Sequence, residues 1–339
     1  MRARVCLTLA VVVGLACLQS CGGSPAAPTP PPSPPPPQPP QASSWTLRGQ
    51  IVGTIGRQPV TNATVELAGI SASTDSEGRF TMTAPAAPAL PHAVTVRASG
   101  YRTRETTLAF PRSGEAIIDI TVTASPFSED YYNQIARDSY ERPEQRSQLW
   151  RWSSAPRIYL KTADETGRAV PSEVISHVNT SLTDGVRMFS GGTFTATVEQ
   201  GTDERPPQVG WINVEIRQNT ALVVGDDVCG VAQTVGGNPN RIELRLERCG
   251  CGSTKVPASV VLHEIGHALG FFHVADRNAV MYPFFPGQCR QGAITAIEQM
   301  HVNVAYSRPR GNMDPDRDPP GFFLFTAPLS GPGPRGPIQ

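Results

Sequence analysis

The run His263-Glu264-Ile265-Gly266-His267-Ala268-Leu269-Gly270-Phe271-Phe272-His273 constrains this chain more than any other stretch. Val261, Ile265, Ala268 and Leu269 recur at helical spacing, and Pro257 is acceptable in a first helical turn, so the segment predicts a helix with one buried stripe. At about 100° per residue, His263 and His267 share the face roughly opposite Val261 and Ile265. Two imidazoles one turn apart can chelate one ion while the apolar face anchors the helix. Gly270 stands where the helix must stop, because a left-handed residue there is nearly free of strain only for glycine. The chain then turns, and His273 can return as a third ligand.

Three neutral nitrogen ligands with a fourth position left open describe one catalytic Zn²⁺ rather than a structural one. Such an ion lowers the pKa of its water towards about 7, and Glu264, beside the first ligand, is placed to take the proton and pass it to a leaving amine. That is the chemistry of peptide-bond hydrolysis. Chance is a weak rival: His-Glu-x-x-His is expected by accident in roughly one chain in 200, and the added Gly and His lower this to the order of one in 10⁵.

The motif lies in a segment, 126–310, of mixed character. Val174 to Phe189 reads as an amphipathic helix with Val174, Val178, Leu182 and Val186 on one face, and Gly210–Arg217 and Arg241–Glu247 alternate like strands. Thr295-Ala-Ile-Glu298 predicts a capping box opening a helix through Tyr306, with Ile297, Met300 and Val304 inward and His301 as a packing residue. Cys229, Cys249, Cys251 and Cys289 all fall in this segment. In an exported protein they predict two disulfides, Cys249 and Cys251 going to different partners because so short a bridge is strained.

Export is expected from the N-terminus. Arg2 and Arg4 precede an apolar run, Val5 to Leu18, suited to a signal peptide over 1–20 and too short to span a bilayer. Leu18-Gln19-Ser20-Cys21-Gly22-Gly23 resembles a bacterial lipobox, which implies lipidation of Cys21 and a membrane anchor. The proline-rich stretch that follows, to residue 44, reads as a semi-rigid tether. From 45 to 124 short alternating segments separated by turn signals predict a small all-β sandwich: Trp45–Val52, Thr64–Leu67, Arg79–Thr83, Ala93–Ala98, Arg104–Ala109 and Ala116–Thr123. The proline- and glycine-rich residues 311–339 predict a poorly ordered tail, apart from Phe322 to Phe325, an apolar island able to dock back onto a domain.

Two resemblances sharpen this. Gly49-x-Ile51-Val52, Pro59-Val60, Thr74-Asp75-x-x-Gly78-x-Phe80 and Ala98-x-Gly100-Tyr101 resemble carboxypeptidase regulatory-like (transthyretin-like) domains, which implies fold and no activity. The His263–His273 motif, followed by Val280-Met281-Tyr282-Pro283, resembles the metzincin metallopeptidases. The eight-residue step to Met281 and the intervening Asp276 are most similar to the matrixin branch. That resemblance implies an α+β metzincin-type catalytic domain, with His263, His267 and His273 as metal ligands and Glu264 as catalytic base. It also implies Met281 as a hydrophobic floor beneath the metal and Tyr282, Pro283 and Phe284 as the wall of an apolar substrate pocket. Tyr282 directly follows the methionine, so no zinc-binding tyrosine of the astacin kind is implied. No cysteine stands where a matrixin zymogen would cap its metal, and His92, His177 and His301 are scattered singly, which does not reproduce a second zinc. Ca²⁺ has no support beyond acid pairs such as Asp226-Asp227, which are ordinary loop residues.

The formal charge is +0, so neither nucleic acid nor an anionic membrane surface is implied as a partner through charge. The expectation is a zinc endopeptidase acting on extracytoplasmic proteins, a monomer tethered by lipid to a bacterial envelope, at the outer membrane or cell surface. The alternative is a catalytically idle binding lipoprotein working through its β-sandwich.

Overall fold

The computed structural model describes residues 44–84, 91–109, 114–218, 228–235, 238–246, 255–284, 293–325 and 327–328. Cys21, the tether, Asp226, Asp227, Cys249, Cys251 and Cys289 lie outside them. No helix among the described residues is long and apolar enough to cross a membrane.

The first part of the chain forms seven strands: β1 (Trp45–Gly53), β2 (Thr64–Leu67), β3 (Ile70–Ser73), β4 (Arg79–Ala84), β5 (His92–Arg97), β6 (Arg104–Ala109) and β7 (Gly114–Val122). β1 lies between β4, antiparallel, and β7, parallel. A second sheet runs β6-β5-β2-β3. Alternation does the work: Trp45, Leu47 and Ile51 from one sheet meet Val65, Leu67, Val94, Val96 and Leu108 from the other in one buried core. β3 was not predicted. It forms a hairpin with β2 through Ala68 (φ 50°) and Gly69 (φ 80°), and alanine gives no turn signal at a left-handed position.

A second core is built from α1 (Glu129–Arg137), β8 (Arg157–Lys161), α2 (Ser172–Phe189), β9 (Thr197–Gly201), β10 (Trp211–Arg217), β11 (Gly230–Val235), β12 (Asn238–Arg245), α3 (Ala258–Ala268) and α4 (Ala296–Tyr306). The sheet order is β11-β12-β10-β8-β9, parallel except for β11, which pairs antiparallel with β12 at one edge. The predicted stripe of α2, Val174, Val178, Leu182 and Val186, is buried. Gly185 on that helix lets α3 approach, since a Cβ there would fall 2.3 Å from Ile265 Cγ2.

Residues 311–325 depart from the expected disorder. Asn312 is fully buried, β13 (Leu324–Phe325) pairs with β6, and β14 (Ala327–Pro328) pairs with β7, so each sheet of the first part gains a strand from the chain's end. The physical reason is charge pairing that composition does not reveal. Arg104 and Thr106 occupy inward positions of β6, and both bond Asp318, at 2.5 Å each. Arg308, fully buried just after α4, donates to Thr121 Oγ1 at 2.9 Å, Thr123 Oγ1 at 3.0 Å and the Pro315 carbonyl. Burial pulls its guanidinium down to about 9. Proline and glycine here mark a strap tied to the domain it crosses by paired buried groups, Asp318 with Arg104 and Thr106 above all.

Candidate metal centre

α3 begins at Pro257, which is the residue before the first turn (φ −63°, ψ 139°) rather than inside it. Its buried face includes Val261, Ile265 and Ala268. The last carbonyls of the helix, which have no partner within it, are met by side chains: Trp152 Nε1 donates to Ala268 O at 2.7 Å and Tyr306 Oη to Leu269 O at 3.0 Å. Gly270 follows with φ 100°, and a Cβ there would meet the Trp150 carbonyl at 2.4 Å. Glycine is therefore required twice, for the turn and for the contact.

The three imidazoles converge. Nε2 of His267 lies 3.1 Å from Nε2 of both His263 and His273, and the latter two are 3.3 Å apart. The opposite nitrogens fix the tautomers. His263 Nδ1 donates to the Val280 carbonyl at 2.7 Å and His267 Nδ1 to the Phe271 carbonyl at 2.8 Å, while His273 Nδ1 bonds Glu141 Oε1 at 2.8 Å. A ring nitrogen facing a carbonyl or carboxylate must carry the hydrogen, so all three Nε2 lone pairs point at one another. Burial holds His263 down to about 4 and His267 well below its ordinary range, which keeps both neutral.

Lone pairs aimed at one point repel unless a cation lies between them. A tetrahedral zinc with Zn–N distances of about 2.0–2.1 Å separates its nitrogens by roughly 3.3–3.4 Å, and the observed 3.1–3.3 Å fits that set. Among the described residues these three histidines are the one cluster able to hold a metal.

The Glu264 carboxyl packs against β11. A Cβ on Gly230 would lie 2.8 Å from Glu264 Cγ and Oε1, so the carboxyl occupies space that only glycine leaves. Burial pushes this carboxyl up to about 8, against a hydrogen bond from the Ala232 backbone. It has no ion-pair partner among the described residues, and a bound cation would supply the missing positive charge.

Beneath the site the chain makes a turn, Asp276 to Ala279, before Met281. Met281 is buried against Gly266, where a Cβ would fall 2.5 Å from its Sδ, and its carbonyl accepts from Val274 N–H at 3.0 Å. Its own N–H donates to Glu298 Oε1 at 3.0 Å, while Glu298 Oε2 accepts from Thr295 N–H at 2.8 Å. One buried carboxylate therefore caps α4 and holds the methionine turn. The capping box is visible in the sequence; the second task of Glu298 is not.

The other predicted residues fall as follows. Tyr282 and Pro283 are half-buried and Phe284 is 65% exposed, with the Tyr282 and Phe284 rings 5.7 Å apart. Cys229 is half-buried against the second core, and its three candidate partners lie outside the described residues. His301 is fully buried on α4, bonded to the carbonyls of Ile297 and Ser128. His92 lies on β5 and His177 on α2, both far from the cluster in sequence and absent from it. Sequence reasoning did not find Gln134, whose Oε1 accepts from Ala275 N–H at 2.8 Å, nor Glu141. The cue for α1 was present in Ser128-Glu129-Asp130, a capping serine followed by two acids. An exposed acid in a loop carries no such cue.

A family model described as Matrixin, peptidase family M10, matches residues 252–302, which include all three histidines, Glu264 and Met281. No curated protein matches the chain. Among solved structures the chain is similar to a type II cohesin–X-dockerin complex from Acetivibrio cellulolyticus, at 25% identity and TM-score 0.20 over 24% of this chain and 58% of that one. It is also similar to a DUF3823 family protein from Parabacteroides merdae, at 15% identity and TM-score 0.21 over 24% and 47%. A third is the dioxygenase domain of a carbohydrate-binding fusion from Streptomyces sp. SirexAA-E, at 13% and 0.21 over 25% and 82%. The chain thus spans about half the length of the first two, and TM-scores this low assign no fold.

Proposed function

We propose that this protein is a zinc-dependent endopeptidase of matrixin-like type. The observation that carries the reading is the convergence of three Nε2 lone pairs at 3.1–3.3 Å beside a buried carboxyl, Glu264. His263, His267 and His273 would hold the metal, which when bound supplies Lewis-acid polarisation of a carbonyl and acidifies water. Glu264 accepts the proton of the attacking water at its carboxylate and returns it to the departing amine nitrogen. Met281 sets the depth of the floor, and Tyr282, Pro283 and Phe284 offer apolar contact to a substrate side chain. The position of β11 is support for a peptide substrate: among the described residues it is the end strand of its sheet, beside Glu264, where an extended chain can add as a further strand.

The remaining expectations belong to the same proposal. Export and a lipid on Cys21 would place the enzyme on a bacterial envelope, its first domain a carboxypeptidase regulatory-like spacer and its substrates extracytoplasmic proteins. Disulfides among Cys229, Cys249, Cys251 and Cys289 would suit that compartment.

The test is cleavage of an unfolded-protein or peptide library by the metal-loaded chain, with chelator-treated and Glu264→Ala protein as controls. Cleavage lost in both controls is expected. Zinc-loaded protein that cuts nothing beyond what Glu264→Ala cuts would leave the idle binding protein as the better reading.

A further inference from the structure

His263 and His267 present Nδ1 to backbone carbonyls that follow closely in the chain, Val280 and Phe271. Those acceptors are fixed by the turn beneath the site and by the end of α3. His273 differs. It stands beyond Gly270, outside any helix, and its Nδ1 bonds a side-chain carboxylate contributed from 132 positions earlier, Glu141 Oε1 at 2.8 Å. We propose that Glu141 is a positioning residue of the metal centre: its carboxylate orients the His273 ring and raises the donor strength of Nε2. This rests on the metal-binding reading of the three histidines.

The loop that carries Glu141 is built to present it. α1 ends at Asp138 in the left-handed conformation (φ 59°), its N–H returning to Asn133 O. Arg142 N–H donates to Asp138 O at 2.9 Å, and the Arg142 guanidinium lies 3.5 Å from the Asp138 carboxylate, which closes the turn around Glu141. The same helix grips the ligand loop directly. Phe272 N–H donates to Ile135 O at 2.8 Å, and Ala275 N–H to Gln134 Oε1 at 2.8 Å, bracketing His273 on both sides. Glu141 and His273 are therefore held to one common support, and the hydrogen bond between them needs no long excursion by either.

Glu141 has no other hydrogen-bond partner among the described residues, and its side chain is 49% exposed. A half-exposed hydrogen bond of this kind does little for folding. Its worth lies in the ligand: a carboxylate on the second nitrogen of a metal-bound histidine fixes the tautomer and increases ligand basicity, and losing such a partner typically weakens metal affinity about 10–100-fold.

The experiment uses the full chain, stripped of metal and titrated with zinc against a chromogenic chelator. Wild type is compared with Glu141→Ala, Glu141→Gln and Glu144→Ala, an exposed acid of the same loop with no hydrogen bond to the site. About 10–100-fold weaker binding is expected for Glu141→Ala. Glu141→Gln keeps a neutral acceptor and should fall between, and Glu144→Ala should match wild type. Circular dichroism and thermal unfolding of the metal-free forms should be unchanged, and the cobalt-loaded Glu141→Ala should show an altered visible spectrum. Zinc affinity of Glu141→Ala within about twofold of wild type overturns the proposal, as does an equal loss in Glu144→Ala, which would make the effect one of general charge. Failure of the wild type itself to bind zinc is a different result, and removes the metal reading with it.

Discussion

The half-buried histidine site and the junction around the fully buried Arg308 are both polar, yet they are assembled in opposite ways. The site takes its four chemical groups from one run, His263 to His273, and helix geometry alone brings the first three together. The junction takes Arg104, Thr121, Thr123, Arg308 and Asp318 from three stretches, the ion pair of Arg104 and Asp318 spanning 214 positions. In the site, lone pairs point inward with no protein cation among the described residues to meet them. In the junction, Arg104 and Asp318, 4% and 2% exposed, are already paired. The first arrangement calls for a ligand; the second has its opposite charges already matched and ties the two cores together.

If that contrast is right, Glu264→Ala should cost peptide cleavage about 10²–10⁴-fold while leaving thermal unfolding of the metal-free protein close to wild type. A variant that unfolds would show that the carboxyl is structural. Asp318→Ala should do the reverse. It strands a buried guanidinium, so urea unfolding should show a loss of about 3–5 kcal/mol, with cleavage per folded molecule retained at low temperature. Gly270→Ala links the two behaviours, since strain at φ 100° and the Trp150 carbonyl should cost about 1–3 kcal/mol and displace His273, read as weaker zinc binding together with a lower unfolding midpoint.

The smallest effect expected is in pH. In metal-free protein the Glu264 carboxyl, raised from 4.5 to about 8, contributes stability that is present below pH 4.5 and lost as pH rises through 8. His263, lowered from 6.5 to about 4, works the other way: its contribution is present above pH 6.5 and lost as pH falls through 4. Of these two, only the Glu264 contribution is still changing above pH 6.5. Glu264→Gln should therefore gain in unfolding temperature over wild type between pH 6.5 and 8 with chelator present, and an unchanged difference would count against a buried, uncompensated carboxyl.

What could be read from the sequence follows the same division. The helix of the site, the stripe of α2 and six alternating strand runs between Trp45 and Thr123 depend on periodicities a few residues long. The capping box of α4 is likewise local, down to the Thr295–Glu298 pair. Nothing local announces that Glu298 also receives Met281 N–H, that Glu141 reaches His273, or that Arg104 and Thr106 face inward because Asp318 will answer them. The tail shows the cost of reasoning from composition: Pro319 and Pro320 weakened any prediction of order, while the carboxylate beside them anchors the strap. β11 was missed for a related reason, since its Gly230 is chosen for the room it leaves Glu264 and not for strand propensity.

β13 and β14 give the first sheets of the chain their last strands. Chains emerge from the ribosome N-terminus first, and domains generally fold in that order. Here β6 and β7 are made early and must wait, with open edges, until translation passes α4 and delivers β13 and β14. The first core of this protein is closed only after the second core's α4 has been made, and a message truncated after α4 would release a product whose oldest part is unfinished.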